Sequence, residues 1–248
     1  MRYKLAVLFS FLVVFGNAQS PWPVFTRYLA WVGVYGQLNF SERLSVHLDI
    51  QARNEYTDGD WFNTLIRSGV TWKTKKKIQL SAGLAYFKLY PNPNSLPPRP
   101  EWRPWQEIGK KFEINHHTIY PRFRLEQRFI REYILSGLED EFTFSCFRSR
   151  YRCDYNYTIN EPDQRGMIFI AGYEYLLNTK RNGKTLFDQN RVTGGLGYRF
   201  SRHLMVQLTY LHLFLRRDAE HFEQHHIVRF SIIMQFSKKE KTESGNAE

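Results

Sequence analysis

The segment Tyr120-Pro-Arg-Phe-Arg-Leu-Glu-Gln-Arg-Phe129 alternates between charged or polar residues and mostly apolar ones. A period of two residues predicts a β-strand with one ionic face and one apolar face. In a soluble β-sandwich the apolar face would meet a core, whereas in a membrane barrel it would meet lipid. The strand alone is compatible with both folds, so the rest of the chain has to distinguish them.

The N-terminus has the pattern of a secretory signal peptide. Arg2 and Lys4 precede an apolar run, Leu5–Phe15, and the small residues Gly16 and Ala18 follow it. The run is shorter than the roughly 20 apolar residues of a transmembrane helix. We therefore expect residues 1–18 to be a cleaved signal peptide, and any membrane insertion of the exported chain to use strands.

The composition favours a barrel and argues against nucleic-acid binding. The mean hydropathy is −0.51, although 17% of the residues are aromatic. This combination suits a protein whose hydrophobic residues form an outer face and aromatic girdles while its interior stays polar. The formal net charge is +11, but the basic residues occupy alternate strand positions rather than one cluster, so no nucleic-acid partner is expected.

Amphipathic segments fill the mature chain and are separated by turn signals. The eleven predicted strands are Tyr28–Phe40, Arg43–Thr57, Trp61–Lys73, Lys77–Tyr90, Trp102–Asn115, Thr118–Tyr133, Phe144–Asn160, Arg165–Asn178, Asp188–Phe200, His203–Arg216 and Phe222–Phe236. Most are longer than soluble strands and reach the length that a tilted membrane strand needs. Strand length therefore favours a membrane barrel over a sandwich.

The connections alternate in length. Short turns are predicted at Ser41-Glu42, Thr74-Lys75-Lys76, His116-His117, Glu161-Pro162-Asp163 and Ser201-Arg202, and longer loops at Pro91–Glu101, Ile134–Thr143 and Thr179–Phe187. Short periplasmic turns and longer outer loops are typical of bacterial barrels. We predict an all-β, antiparallel up-and-down transmembrane β-barrel over residues 19–236 and a polar C-terminal tail over 237–248. Because two periplasmic termini require an even strand number, twelve is preferred within a range of ten to twelve.

An outward orientation of the apolar residues places charged side chains in the lumen. The predicted lumen network is Arg53, Arg67, Glu107, Lys111, Glu113, Arg122, Arg124, Glu126, Arg128, Arg148, Arg150, Arg152, Asp154, Glu174, Arg191, Arg199 and Arg229. Neighbouring antiparallel strands bring such side chains within about 5 Å, so Arg–carboxylate ladders are expected. The pairs could simply fill a narrow barrel, or the basic excess could make the lumen bind or conduct small anionic solutes.

Histidine and cysteine are the candidate residues for catalysis, a disulfide or metal binding. The histidines His116, His117, His212, His221, His225 and His226 could serve a lipid-modifying enzyme with a His–Ser site at the barrel rim, but no serine lies in a nucleophile motif. Cys146 and Cys153 would stand on opposite faces of one strand, so a disulfide needs an intervening turn, and neither belongs to a CxxC zinc motif. We assign no catalytic, cofactor or metal residue.

Tryptophan and tyrosine cluster near the proposed strand ends. The aromatic residues at these positions are Trp31, Trp61, Trp72, Tyr90, Trp102 and Trp105. Such positions are typical of the aromatic girdles at the two membrane interfaces. Stacking on sugars is the alternative for Trp102 and Trp105, which flank a proline-rich loop.

Four motifs, taken in order, resemble a known family. They are Trp105-Gln-Glu107, Arg122-x-Arg124-x-Glu126-Gln-Arg128-Phe129, Phe147-Arg-x-Arg-Tyr-Arg152, and Phe187-Asp-Gln-Asn-Arg191 followed by Gly195-Leu-Gly-Tyr-Arg199. The set resembles the uncharacterised outer-membrane barrels of Bacteroidota-type bacteria known as domain of unknown function 2490. The resemblance implies an outer-membrane β-barrel and carries no established activity.

These observations predict a non-enzymatic, porin-like protein in the outer membrane of a Gram-negative bacterium. It would act as a structural component or as a narrow solute pore, and the rim enzyme is the alternative function. The expected partners are outer-membrane lipid, the barrel-assembly machinery during biogenesis and small anionic solutes.

Overall fold

The computed structural model of the chain describes residues 24–56, 60–91, 96–134, 137–159, 165–217 and 221–238. The predicted signal peptide 1–18, the predicted turn at 161–163 and nearly all of the tail 237–248 lie outside these residues. Within the described ranges, no helix has the length and apolar character to cross a membrane.

Strands account for nearly all of the described chain. They are β1 (Val24–Asn39), β2 (Leu44–Glu55), β3 (Trp61–Lys73), β4 (Ile78–Leu89), β5 (Arg99–Lys110), β6 (Phe112–Ile114), β7 (His117–Ile130), β8 (Tyr133–Ile134), β9 (Gly137–Leu138), β10 (Thr143–Thr158), β11 (Gly166–Lys180), β12 (Thr185–Arg199), β13 (Leu204–Arg216) and β14 (Phe222–Ser237). Each of the eleven predicted strands corresponds to one long strand. The two-residue strands β8 and β9 form a separate hairpin.

The long strands close into a barrel. Neighbours pair in the order β10-β11-β12-β13-β14-β1-β2-β3-β4-β5-β7, and β7 pairs with β10 to complete the ring. The short strand β6 continues β5 after one intervening residue, Lys111, and also pairs with β7, so the sheet has twelve strands and eleven of them form the wall. The predicted all-β barrel is confirmed, with a strand number inside the predicted range.

An odd number of wall strands closes because the last ladder is parallel. β1 pairs with β14 in parallel from Val24↔Phe222 to Asn39↔Ser237, whereas the other ladders are antiparallel. The expectation of an even number assumed that both ends of the barrel chain lie on one side. The parallel seam instead places the start of β1 and the end of β14 at opposite ends of the barrel.

The two ends of the barrel differ in their connections. The short-turn end carries the connections 40–43, 74–77, 115–116 and 200–203 together with the end of β14, and the long-loop end carries 90–98, 131–142 and the start of β1. The prediction of a long loop at Thr179–Phe187 was wrong, since β11 continues to Lys180 and β12 already begins at Thr185. The strands extend here because residues 177–179 keep pairing with 185–187.

The outer face of the barrel is apolar. Side chains that remain about half exposed alternate with inward ones along each strand, for example Leu208 at 57%, Val228 at 54%, Val32 and Ile66 at 52% and Val192 at 51%. Large contiguous apolar surfaces of this kind are rare on soluble monomers and are the lipid-contacting band of membrane barrels. The wall strands are 12 to 16 residues long, enough to cross a bilayer at a tilt.

A charge on the outer face should prevent assembly. Phe123 faces outward and its ring centroid lies 5.0 Å from that of Tyr151, whereas the next residue, Arg124, is buried inside. We expect Phe123→Arg, and likewise Leu125→Arg, to destabilise the inserted barrel by about 2–4 kcal/mol if the site is near the midplane. A closed barrel migrates differently on a gel before and after boiling, so the folded fraction can be measured directly. Phe123→Leu is the control, and normal folded levels of both arginine variants would mean that the faces are reversed.

The different connections at the two ends of the barrel lead to a second testable expectation. An epitope inserted at Asn182, in the turn between β11 and β12, should be labelled by antibody on intact cells. The same epitope at Arg202, in a short turn at the other end, should be labelled only after the outer membrane is permeabilised, because short turns face the periplasm. Labelling of Arg202 alone on intact cells would show the opposite orientation.

Candidate functional site

The lumen is built by the inward residues of the strands, and its charged members come from strict alternation. On β7 the inward positions are Arg122, Arg124, Glu126 and Arg128, and their outward neighbours include Phe123 and Leu125. All residues of the predicted lumen network lie at inward positions of the register. Arginine and carboxylate side chains from neighbouring strands therefore meet across the inner surface.

The most buried acid is Glu101, which is fully enclosed at 0% exposure. Its two carboxylate oxygens accept hydrogen bonds from Arg103 at 2.6 and 2.8 Å and from Arg128 at 2.5 and 3.0 Å. The planar guanidinium forks match the carboxylate in two-point geometry, which is the strongest form of this contact. Arg103 also lies over the Phe87 ring at 3.7 Å. Glu101 is thus locked between two arginines.

Glu101 was missed in the sequence because the predicted strand began only at Trp102, whereas Arg103 lay within that strand and was not assigned to the lumen. The strand β5 begins at Arg99. Extending the alternation of Trp105 and Glu107 back by two and four residues would have placed both side chains inside.

A chain of ion pairs crosses four neighbouring strands. Arg150 binds Glu126 at 2.6 Å on one side and Glu174 at 2.6 Å on the other, and Glu174 also binds Arg191 at 3.0 Å. Glu126 and Glu174 are only 3% and 5% exposed. The same layer continues through the ion pair of Arg148 and Asp188 at 3.1 Å. We call this set the ion-pair band; its members are Glu101, Arg103, Glu126, Arg128, Arg148, Arg150, Glu174, Asp188 and Arg191.

Nearer the short-turn end the pairs are less deeply buried. Glu107 binds Arg124 at 2.8 Å and Arg122 at 3.5 Å. Asp154 pairs with Arg122 and binds Arg152 at 2.8 Å. The Glu107 contacts cross the β5–β7 ladder, the Arg122–Asp154 pair crosses the β7–β10 ladder and the Arg152–Asp154 pair lies within β10, so each carboxylate contacts two guanidinium groups.

Other charged residues of the predicted network have different environments. Arg67 pairs with Asp49, and Lys111 lies over the Tyr120 ring at 5.4 Å. Glu113 is exposed and Arg199 is half-buried. Neither Glu113 nor Arg199 has an ion-pair partner among the described residues.

Two apolar clusters complete the filling of the lumen. The first contains Leu29, Trp31, Leu211, Leu213 and Ile227, and the second contains Leu65, Ala85, Phe87 and Trp105. Together with the ion-pair band they draw on every wall strand except β2. The long-loop half of the barrel is therefore packed with side chains.

Trp31 and Trp105 are corrections to the sequence analysis, which placed them in the outer girdle. They face inward at 4% and 1% exposure. Trp102, Trp61 and Trp72 lie on the outside and are 37%, 48% and 50% exposed. The inward indoles carry guanidinium groups on their faces: Arg53 lies 3.9 Å from the Trp31 ring and Arg124 lies 4.3 Å from the Trp105 ring. Cation–π contacts of this kind are strongest away from water.

Glycine makes the inward position of Trp105 feasible. A Cβ atom at Gly69 or Gly83 would collide with the six-membered ring of this indole. The two glycines face each other across the β3–β4 ladder. Their missing side chains create the space that the indole occupies.

The short-turn half of the lumen contains a cavity of ≈ 630 Å³, which we call the lumen chamber. Its lining runs from the turn residues Ser41 and Arg43 inward to Trp31, Phe87 and Arg103. Twelve basic side chains and three acidic ones line it; they are Arg43, Arg53, Arg67, Lys73, Arg103, Lys111, Arg122, Arg124, Arg150, Arg152, Arg191 and Arg229, with Glu42, Asp49 and Glu107. The chamber is therefore strongly positive.

Five histidines of the described chain contact groups other than serine. His117 Nδ1 lies 2.8 Å from the Tyr155 hydroxyl, and His226 Nδ1 lies 2.6 Å from the Tyr210 hydroxyl. Inside the barrel, His225 Nε2 lies 2.7 Å from a Glu223 carboxylate oxygen. His116 and His203 each contact a backbone carbonyl oxygen.

The two cysteines form no disulfide with each other. Cys146 is buried, Cys153 is exposed, and both thiols are free. Across the part of the chain that the structure describes, no three His, Cys, Asp or Glu side chains gather in a way that could hold a metal ion.

Comparison with known proteins gives one family and one fold likeness. A search of curated proteins finds no match. Among solved structures the chain is similar to the "Beta Domain of the Bordetella Autotransporter Brka", with 9% sequence identity and a TM-score of 0.45 over 77% of this chain and 81% of that one. The family model described as "Protein of unknown function (DUF2490)" matches residues 29–224, from the first wall strand into the last. The chain therefore belongs to the DUF2490 family.

Proposed function

We propose that this protein is a non-enzymatic structural barrel of the outer membrane whose lumen is closed to through-flow. The observation that carries this proposal is the ion-pair band, in which Glu101, Glu126 and Glu174 are 0%, 3% and 5% exposed. Each of these carboxylates contacts at least two guanidinium groups. An ion crossing the lumen would have to separate such pairs, and leaving one partner buried alone costs about 3–5 kcal/mol.

The outer-membrane location is supported by three features. The N-terminal residues predict export, the outer face is apolar, and a closed barrel leaves no unpaired strand edge in lipid. Barrels of this kind are found in outer membranes. Outer-membrane lipid would then contact the apolar face, and the barrel-assembly machinery would insert the chain.

A non-enzymatic role is supported by the contacts of the histidines. A rim hydrolase or acyltransferase needs a histidine within hydrogen-bond reach of its nucleophile. The side chains of His116, His117, His203, His225 and His226 instead contact tyrosine hydroxyls, backbone carbonyl oxygens or a carboxylate. These contacts fix the rings and pair none of these five histidines with a serine hydroxyl.

A narrow anion pore is the second candidate, and the basic excess of the lumen chamber favours it. A ring of guanidinium groups with few acids attracts anions. For conduction, the chamber would have to connect to the long-loop end through the ion-pair band. The two candidates therefore differ in whether the band opens.

Conductance separates these candidates directly. We expect the purified barrel in a planar bilayer to show no stable open level in potassium chloride at either polarity. The reason is that Glu101 and Glu126 remain paired in the dry centre of the lumen. A sustained, anion-selective open level of the wild-type protein would replace the structural barrel with the pore.

The stability of a Glu126→Gln variant tests the band itself. Glu126 is the carboxylate between Arg150 at 2.6 Å and two further arginines, Arg103 and Arg124, at 3.9 Å. Removing its charge should cost on the order of 3 kcal/mol in a dry lumen and much less in a wet one. The measurement is the temperature or urea concentration at which the compact gel form is lost.

Glu113→Gln is the matched control, because Glu113 is an exposed acid at the short-turn end of the same lumen. It should melt like the wild-type barrel. If Glu126→Gln also melts like wild type and conducts anions, the band is hydrated and the closed-barrel proposal fails.

A further inference from the structure

Two arginines deep in the lumen chamber have no carboxylate partner. Of the twelve basic side chains that line it, seven make ion pairs within 4 Å; these are Arg67, Arg103, Arg122, Arg124, Arg150, Arg152 and Arg191. Three others, Arg43, Lys73 and Lys111, lie toward the mouth. The remaining two, Arg53 and Arg229, lie deep inside without an ion-pair partner among the described residues.

The polar contacts of these two side chains are weak ones with neutral groups. Arg53 Nη2 donates to the Gln51 side-chain oxygen at 2.9 Å, while its Nε is buried without a hydrogen-bond partner. Arg229 Nε donates to the Thr209 hydroxyl at 3.1 Å. A guanidinium offers five donors, so most of the donors of both groups are available to a ligand.

The closing seam of the barrel places the two arginines together. Arg53 on β2 and Arg229 on β14 are both register partners of Trp31 on β1. They therefore flank the same inward indole from the two sides, one strand away each, and Arg53 lies over that ring at 3.9 Å. Strands two apart are separated by about 10 Å, a distance that two long guanidinium side chains span with one small ligand between them.

Tyr35 on β1 also lines this part of the chamber. Tyr35 is the next inward residue after Gly33 on β1. Its ring folds back over Gly33, since a Cβ atom at Gly33 would lie 2.9 to 3.1 Å from the ring and hydroxyl atoms of Tyr35. Gly33 thus leaves room for the Tyr35 side chain to fold back along β1 toward Trp31.

We propose that this part of the chamber binds a dianionic oxyanion, namely the phosphoryl group of a small soluble phosphate monoester. Two guanidinium groups without an ion-pair partner carry two positive charges, and a phosphate monoester carries about −1.5 to −2 at pH 7 with three acceptor oxygens. A monocarboxylate would leave one cation unpaired. Arg53 and Arg229 provide donors for the oxygens, and guanidinium groups are suited to phosphate recognition.

The shape of the chamber fits this ligand class. At ≈ 630 Å³ it lies within the roughly 300–1,000 Å³ of small-molecule sites, so an organic group has room beside the phosphoryl group. Arg43, Lys73 and Lys111 at the mouth would concentrate anions there. The barrel wall separates the site from the bilayer, so the ligand enters from the aqueous compartment at the short-turn end.

The test compares the thermal unfolding of the purified barrel in detergent with inorganic phosphate and with chloride at equal ionic strength and pH 8. Binding to the folded state raises the free energy of unfolding by RT ln(1 + [L]/Kd), so the unfolding temperature rises with the logarithm of ligand concentration above Kd. We expect such a rise with phosphate, a similar rise with the dianion sulfate and no comparable rise with acetate. Arg53→Gln and Arg229→Gln should each weaken phosphate binding about tenfold or more, as expected for loss of a charge-assisted contact.

Stability in chloride distinguishes binding from a structural role. Arg229→Gln removes an unpaired cation, so its unfolding temperature in chloride should equal or exceed that of the wild-type barrel. Arg43→Gln removes the same charge at the mouth and should retain nearly all of the phosphate effect. Arg229 contacts only the Thr209 hydroxyl among the described polar groups, so Arg229→Gln remains informative even if Arg53→Gln does not fold.

Three results of the phosphate and chloride comparison would overturn the proposal. They are a wild-type barrel that phosphate stabilises no more than chloride, variants that retain the full phosphate effect, and an Arg43→Gln effect as large as that of the deep variants. Tighter binding of a short-chain phosphatidate than of phosphate would also overturn it, because the ligand would then be a lipid headgroup. Conductance is not used in this test, so its outcome leaves the closed-barrel proposal unaffected.

Discussion

The parallel ladder between β1 and β14 is the interaction on which the rest of the structure depends. It pairs sixteen positions, from Val24↔Phe222 to Asn39↔Ser237, and it removes the two strand edges that an open eleven-stranded sheet would expose to lipid. Unpaired backbone groups in hydrocarbon cost several kcal/mol each. The ring therefore has to close before the apolar outer face can contact lipid. Closure also creates the lumen, because inward side chains from distant parts of the chain face each other only in a ring.

The sequence predicts those features of the fold that depend on residues close together in the chain, and misses those that depend on residues far apart. Alternation within a strand is local, so the segment Tyr120–Phe129 and the other ten strands could be read directly. Trp31 could not be oriented in this way, since Leu29, Ala30 and Val32 around it are all apolar and no polar neighbour marks the inner face. The parallel seam joins segments nearly 200 residues apart, and no local pattern encodes its direction.

Arginines that look alike in the sequence have opposite physical roles in the lumen. Arg150 contacts two buried carboxylates, Glu126 and Glu174, so its charge is compensated and its removal would leave both acids without their main partner. Arg229 contacts a hydroxyl, and the carboxylates of the band are already used by other arginines. The lumen therefore separates into a neutralised layer that holds strands together and a region of excess charge. The excess of positive charge in this region contributes to the positive net charge of the chain.

That separation is maintained by the order of strands around the ring. The acids of the band lie on β5, β7, β11 and β12, whereas Arg53 and Arg229 lie on β2 and β14, on either side of β1. The inward residues of β1 in this region are Leu29, Trp31, Gly33 and Tyr35, which supply an indole, space and a hydroxyl but no carboxylate. An acid at any of these positions would pair with the flanking arginines and fill the deep end of the chamber. Because β1 presents none, Arg53 and Arg229 line the cavity without an ion-pair partner among the described residues.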